Sequence, residues 1–161
     1  MTTSIATSIS ITDIATISAS VIAGIAFIVS SITYVQTTLR ERRIKTLDYW
    51  ETIQPSLLEA RRTLSNIHSG EWSSEDARKH LNSPNVELIT KGINAFERLA
   101  TGVNLDIYDL KVLNKLAGKM IVDSYIAYAP IIVVREEQLG YRGSFREFEI
   151  LYNNLEKLRK K

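Results

Sequence analysis

The sequence has no cysteine, only two histidines and only three prolines. Without cysteine there is no disulfide, no thiolate nucleophile and no sulfur ligand for zinc. That composition suits a reducing compartment. His68 and His80 each sit near a turn or helix end, and a zinc site needs three or four ligands at suitable spacing, to which cysteine cannot contribute. Sequence motifs of the common enzyme classes are missing as well. There is no G-x-x-x-x-G-K-[ST] phosphate loop, no G-x-G-x-x-G, no H-E-x-x-H and no G-x-S-x-G. A non-enzymatic chain without catalytic residues, metal or cofactor is therefore expected.

The most telling absence is of charge. Ile14 to Val35 carries no charged side chain, Asp13 is the only charge before it, and the first basic residue of the chain is Arg40. As a helix, such a stretch is roughly 33 Å long, against about 30 Å for the hydrocarbon core of a bilayer. Its Ile, Val and Thr content and the partial alternation from Ser8 to Val21 also suit a strand. In lipid a lone strand leaves its backbone unpaired, so the helix wins. A cleaved signal peptide would need basic residues ahead of a shorter apolar core. Here the basic residues come after a long one.

Those residues, Arg40, Arg42, Arg43 and Lys45, are interrupted by Glu41 and Ile44. Basic residues beside a span stay cytoplasmic, and Tyr34 stands where an interfacial aromatic belongs. The prediction is an inner-membrane, single-pass protein. Residues 1–13 form a short tail outside, 14–35 the transmembrane helix, and 36–161 a cytoplasmic domain. The basic cluster also suits contact with anionic lipid. Within the span, Ala19/Ala23 and Ser20/Gly24 are small-xxx-small pairs that let two helices approach and favour a homo-oligomer.

All 20 Lys and Arg, and all but one of the 18 Asp and Glu, lie beyond residue 35. The mild, interspersed positive excess argues against nucleic acid as a partner. Apolar periodicity there is helical. Pro55 is expected to end or kink a first helix, and a second fits Pro55 to Ile67 before Gly70. Ser73-Ser74-Glu75-Asp76 opens a short helix to about Leu81. Ser83 and Pro84 open the next, with Val86, Ile89, Ile93, Phe96, Ala100 and Val103 as one stripe and Gly102 closing it. Asp106 is expected to cap a helix whose apolar side is Leu110, Leu113, Leu116, Met120, Tyr125 and Tyr128. Pro130 should kink or break it. The β-branched run Ile131–Val134 allows a strand, but helical flanks favour helix. Ser144-Phe145-Arg146-Glu147 reads as a capping box for a last helix with Phe145, Phe148, Leu151, Leu155 and Leu158 inward and Lys157, Arg159, Lys160 and Lys161 at its end. The fold class is all-α: one transmembrane helix followed by a bundle of four to six helices.

Asn94, Glu97, Ala100 and Gly102-Val103, in the segment NAFERLATGV, lead into Asp106, a long helix, Arg135 and a closing Tyr141…Phe148…Leu151 segment. Over roughly residues 36–155 this resembles a domain-of-unknown-function family of small bacterial proteins with one N-terminal span and a helical cytoplasmic domain. Relatives carry a Trp in the long helix, where this chain reads MIVDSYIAYAP with Tyr125 and Tyr128. The resemblance implies a helical, membrane-tethered body and brings no activity with it.

Asn94, Glu97 and Arg135 are the polar positions of most interest. Glu97 borders the buried stripe and Arg135 follows the IIVV run, and a buried charge needs a partner. Either Glu97 and Arg135 pair, with Asn94 beside them, or both are solvated. The functional expectation is a membrane-tethered module that binds a protein partner or itself. The alternative is an effector that oligomerises through its span in a stress or phage-defence response.

Overall fold

The computed structural model describes residues 10–68, 70, 72–80 and 83–160. Most of the expected 1–13 tail, the helix end at Leu81 and the terminal Lys161 lie outside them. Every regular element among the described residues is a helix: α1 (Ile11–Ile67), α2 (Ser74–His80), α3 (Pro84–Asn104), α4 (Leu110–Leu139) and α5 (Arg146–Arg159). The chain divides into two units, Met1–Arg40 and Glu41–Lys161.

In the first unit, α1 opens with a reciprocal cap. The Ser10 N–H donates to Asp13 Oδ2 at 3.0 Å, and the Asp13 N–H donates to Ser10 Oγ at 3.2 Å. This capping box satisfies donors that a helix start would otherwise leave free.

The second unit has one apolar core. From α1 it takes Trp50, Ile53, Leu57, Ala60 and Leu64, and the buried Thr46 belongs to the same face. Of the two outcomes expected at Pro55, an end or a kink, the end does not occur: α1 runs through it. A proline inside a helix costs about 3 kcal/mol. Each large apolar side chain buried on this face returns roughly 1.5–3 kcal/mol. The stripe therefore outweighs the proline, and Pro55 itself lies on the exposed side. The same balance holds at Pro130, inside α4, where Tyr128, Ile131, Ile132 and Val134 are buried around it. The Ile131–Val134 run is helical, as its flanks required.

Helix α3 follows its sequence closely. Ser83 Oγ accepts from the Asn85 N–H, Pro84 is the first helical residue, and all six residues of the expected stripe are buried. Gly92 sits against Ala60 so closely that a Cβ at 92 would overlap the Ala60 methyl. This glycine sets how closely α3 approaches the second-unit part of α1. Gly102 does not end α3, which continues to Asn104. The Tyr108 ring covers Gly102, leaving no room for a Cβ there. The Gly102 carbonyl accepts from the Ile107 and Tyr108 N–H groups and so ties down the α3–α4 turn.

Two caps differ from those expected. Asp109, not Asp106, caps α4: its Oδ1 accepts from Lys111 N–H at 2.8 Å and Val112 N–H at 3.1 Å. Asp106 is instead the turn residue with φ 60°, a left-handed conformation that Asp tolerates better than most. On α5, Ser144 does not form the capping box. The cap position falls on Phe145, which offers no acceptor. Ser144 lies in a turn in which Glu136 Oε1 accepts from the Gly143 and Ser144 N–H groups at 2.7 and 3.0 Å.

The expected inward side of α4 needs one correction. Leu116 is exposed, and the buried side is Leu113, Ala117, Gly118, Ile121, Ser124 and Tyr128. Between α3, α4 and α5 lies an aromatic cluster. Phe96 stacks on Phe148 at 4.7 Å, Tyr125 meets Phe148 edge-on at 5.1 Å, and Tyr125 stacks on Tyr152 at 4.5 Å. Such pairs add about 0.5–1.5 kcal/mol beyond area burial. Helix α2 packs on α4 through Ala77, and Trp72 Nε1 donates to the Ala127 carbonyl at 3.0 Å.

Candidate functional site

Among the described residues, two helices are long and apolar enough to cross a membrane, α1 and α4. Their surroundings differ. The most apolar window of α1 has mean hydropathy 2.0 and none of it is buried, whereas that of α4 has 1.4 and 44 % of it is buried. One side of α4 is spoken for by the core of the second unit. The N-terminal stretch of α1 instead presents Ile14, Ile17, Val21, Ile22, Ile25, Phe27, Ile28, Val29, Ile32 and Val35 to its surroundings.

Four of its hydroxyls are satisfied within the helix. Thr16, Ser20, Ser31 and Thr33 each donate to the carbonyl four residues earlier, at 2.8–2.9 Å. This pattern costs little where water is absent, because the hydroxyl needs no outside partner. Ala19, Ser20, Ala23 and Gly24 are all exposed, and a Cβ added at Gly24 would meet nothing within 4 Å. Tyr34 is 73 % exposed at the end of the stretch.

The basic residues that follow are not equivalent. Arg42 donates to Asp106 Oδ1 at 2.7 Å and to the Tyr108 carbonyl at 3.2 Å, and Arg43 reaches Asp109 Oδ2 at 3.4 Å. The Asp109 N–H donates to Thr46 Oγ1 at 2.7 Å, and Tyr49 stacks on Tyr108 at 4.9 Å. About two turns of α1, residues 42–49, thus fasten the α3–α4 turn. Burial by itself would raise the Asp109 carboxyl. The Val112 and Lys111 N–H donors and the Arg43 guanidinium outweigh it and hold the pKa below the ordinary value. Arg40 and Lys45 remain exposed. Sequence reasoning found the cluster but missed that two of its members also hold the fold. The acids at 106 and 109 were the available signal.

Asn94, Glu97 and Arg135 do not come together. Asn94 is exposed. Arg135 donates to Thr90 Oγ1 and to Gln138 Oε1, each at 3.3 Å. Glu97 reaches the other way, from α3 to the start of α5, where its carboxylate accepts from the Glu147 N–H at 3.1 Å and the Phe148 N–H at 2.8 Å. It supplies from a distance the acceptor that Phe145 cannot, and it meets the positive end of the helix dipole. Glu97 is therefore neither paired with Arg135 nor simply solvated, but forms a tertiary cap for α5. Burial raises the Glu97 pKa above its ordinary value, opposed by the Phe148 and Glu147 N–H donors. Asn104 completes the joint by donating to Glu147 Oε2 at 2.7 Å.

Other buried polar groups lack partners among the described residues. The Tyr128 hydroxyl has no hydrogen bond and its pKa is pushed up to about 12 by burial. Ser124 Oγ is buried without a partner as well. His68 stacks on Trp72 at 5.3 Å. Among the described residues, no group of three or more His, Asp or Glu side chains is placed to hold a metal ion.

The chain belongs to a family defined as a domain of unknown function, DUF4760, whose model matches residues 18–155. The match begins inside the apolar stretch of α1 and ends at Leu155, in the core-facing stripe of α5. It thus takes in both the apolar helix and the bundle. No curated protein and no solved structure matches the chain.

Proposed function

From that membership and from the two unlike parts of the chain, we propose a single-pass membrane protein whose helical body is a tethered interaction module. Residues 14–35 cross the bilayer, the preceding residues lie outside, and the body lies in the cytoplasm. The observation that carries this is the unburied apolar stretch of α1. Ten large apolar side chains, at roughly 1.5–3 kcal/mol each for transfer out of water, are too many to leave hydrated. Orientation rests on Arg40, Arg42, Arg43 and Lys45. The ion pairs of Arg42 and Arg43 do not weaken it, because acidic neighbours contribute little to the positive-inside bias. The role of the body is non-enzymatic. It has a well-packed core and binds a protein partner or a second copy.

The lack of cysteine makes the test direct. Single cysteines are introduced at Thr3 and at Lys160 of the full chain, and intact cells are treated with a membrane-impermeant maleimide. The chain should sediment with membranes in the absence of detergent. Thr3→Cys should label in intact cells and Lys160→Cys only after lysis. A chain that stays in the supernatant removes the anchor, and the opposite labelling pattern inverts the orientation.

A further inference from the structure

The second unit has a groove of about 380 Å³ lined by parts of three helices. Four cations converge on it: Arg61 from α1, Lys115 and Lys119 from α4, and Arg159 from α5. Among the described residues, Asp123 is the only acid in its lining. It pairs with Lys119 at 2.7 Å. Among the described residues, Arg61, Lys115 and Arg159 make no ion pair. Lys115 and Lys119 are also one helical turn apart, a spacing at which like charges destabilise a helix. Three distant segments thus bring positive charge to one concavity, and the fold bears the repulsion.

The floor of the groove is built for close approach. Gly118 has no Cβ. Added there, one would press on the Asn114 side chain and lie 3.4 Å from Arg159 Nη1. The glycine therefore lets Asn114 and Arg159 lie flat against α4. Asn114 Oδ1 is buried and has no hydrogen-bond partner among the described residues.

We infer that this groove binds a small phosphorylated compound, with the phosphate held by Arg61, Lys115, Lys119 and Arg159. Arg and Lys bind phosphate oxygens through charge-assisted hydrogen bonds, and the volume suits a small metabolite. A soluble sugar phosphate and an inositol phosphate headgroup share this chemistry. The groove lies wholly within the second unit, so the inference stands whether or not α1 is an anchor.

The test uses the full chain in nanodiscs of neutral lipid, titrated calorimetrically with glucose 6-phosphate, glucose and inorganic pyrophosphate. A second arm measures association with vesicles containing phosphatidylinositol phosphate, against vesicles of phosphatidylcholine alone. Saturable binding is expected for the phosphorylated probes and not for glucose, weakening as salt rises. Soluble glucose 6-phosphate binding assigns a metabolite. Binding confined to the phosphoinositide vesicles assigns a headgroup. The double substitution Lys115→Glu with Lys119→Glu should weaken binding about ten-fold or more. Asp123→Asn, which frees Lys119, should tighten it about two- to five-fold. Circular dichroism confirms that each variant is folded. The inference is overturned if no phosphorylated probe or vesicle binds, or if affinity is unchanged in the double variant and in Asp123→Asn.

Discussion

The apolar stretch of α1 and the helix α4 are both rich in Ile and Val, and both are long enough to span a bilayer. One keeps none of its most apolar window buried and the other buries 44 % of it. Their small residues show the same contrast. In α1, Ala19, Ala23 and Gly24 are exposed. In α4, Ala117 and Gly118 are buried where the body closes around them. Hydropathy alone makes the two helices look alike. What separates them is the tertiary partners that one has and the other lacks. An apolar helix that the protein does not cover requires another cover.

That contrast can be broken by substitution. The largest effect is expected in the core. Ile121→Ala, at a fully buried α4 position, should cost about 2–5 kcal/mol in denaturant unfolding of the body. Ile25→Ala, in the exposed stretch, should leave the same transition within about 0.5 kcal/mol. An equal loss from both would mean that the stretch folds onto protein. Reversing the emphasis, Ile25→Arg should raise the cost of membrane insertion by about 2.5–3.5 kcal/mol. The readout is the fraction of chain resisting alkaline extraction, and an unchanged fraction argues against a span.

The α3–α5 joint should respond next. Glu97→Ala removes the acceptor for two helix-start N–H groups and should cost about 1–3 kcal/mol. The pH dependence has a defined sign. A carboxyl whose pKa is raised on folding binds more protons folded than unfolded in the window just above its ordinary value of 4.5. Its contribution to stability therefore falls as pH rises through that window. Glu97→Gln should flatten this part of the stability profile, and an unaltered profile would show that burial does not shift Glu97.

The smallest effect is expected at the exposed ion pair of Arg42 with Asp106. Arg42→Ala should cost less than about 1 kcal/mol, because Asp106 is largely in water. Crosslinking in membranes addresses the small residues of the apolar stretch. If the spans meet through them, Gly24→Ile should lower the yield of crosslinked dimer and leave unfolding of the body unchanged. Equal yields would remove self-association through that face.

Legibility in the sequence followed the size and spacing of side chains. The α3 stripe could be read because Val86, Ile89, Ile93 and Phe96 are large and evenly spaced, and Ser83-Pro84 marked its start. The buried side of α4 was harder. Ala117, Gly118 and Ser124 carry no strong apolar signal, and the exposed Leu116 carried a misleading one. The cap of α5 misled for a different reason. Ser144 and Glu147 have the right spacing, but the carboxylate that does the capping lies some fifty residues away on α3. No local pattern contains that pairing. The site residues divided similarly. The basic cluster after Val35 could be seen, but the acids at 106 and 109 did not by themselves say which basic residues they would meet.

The sequence by itself determined that the chain is helical, that one stretch lacks charge and that basic residues follow it. These are matters of composition and periodicity, and they act within a few turns of backbone. Only the tertiary structure decided that α1 passes through Pro55, that Glu97 caps α5 rather than pairing with Arg135, and that four cations share one groove. Those outcomes depend on contacts between residues far apart in the chain, where packing gains of several kcal/mol override local preferences of comparable or smaller size.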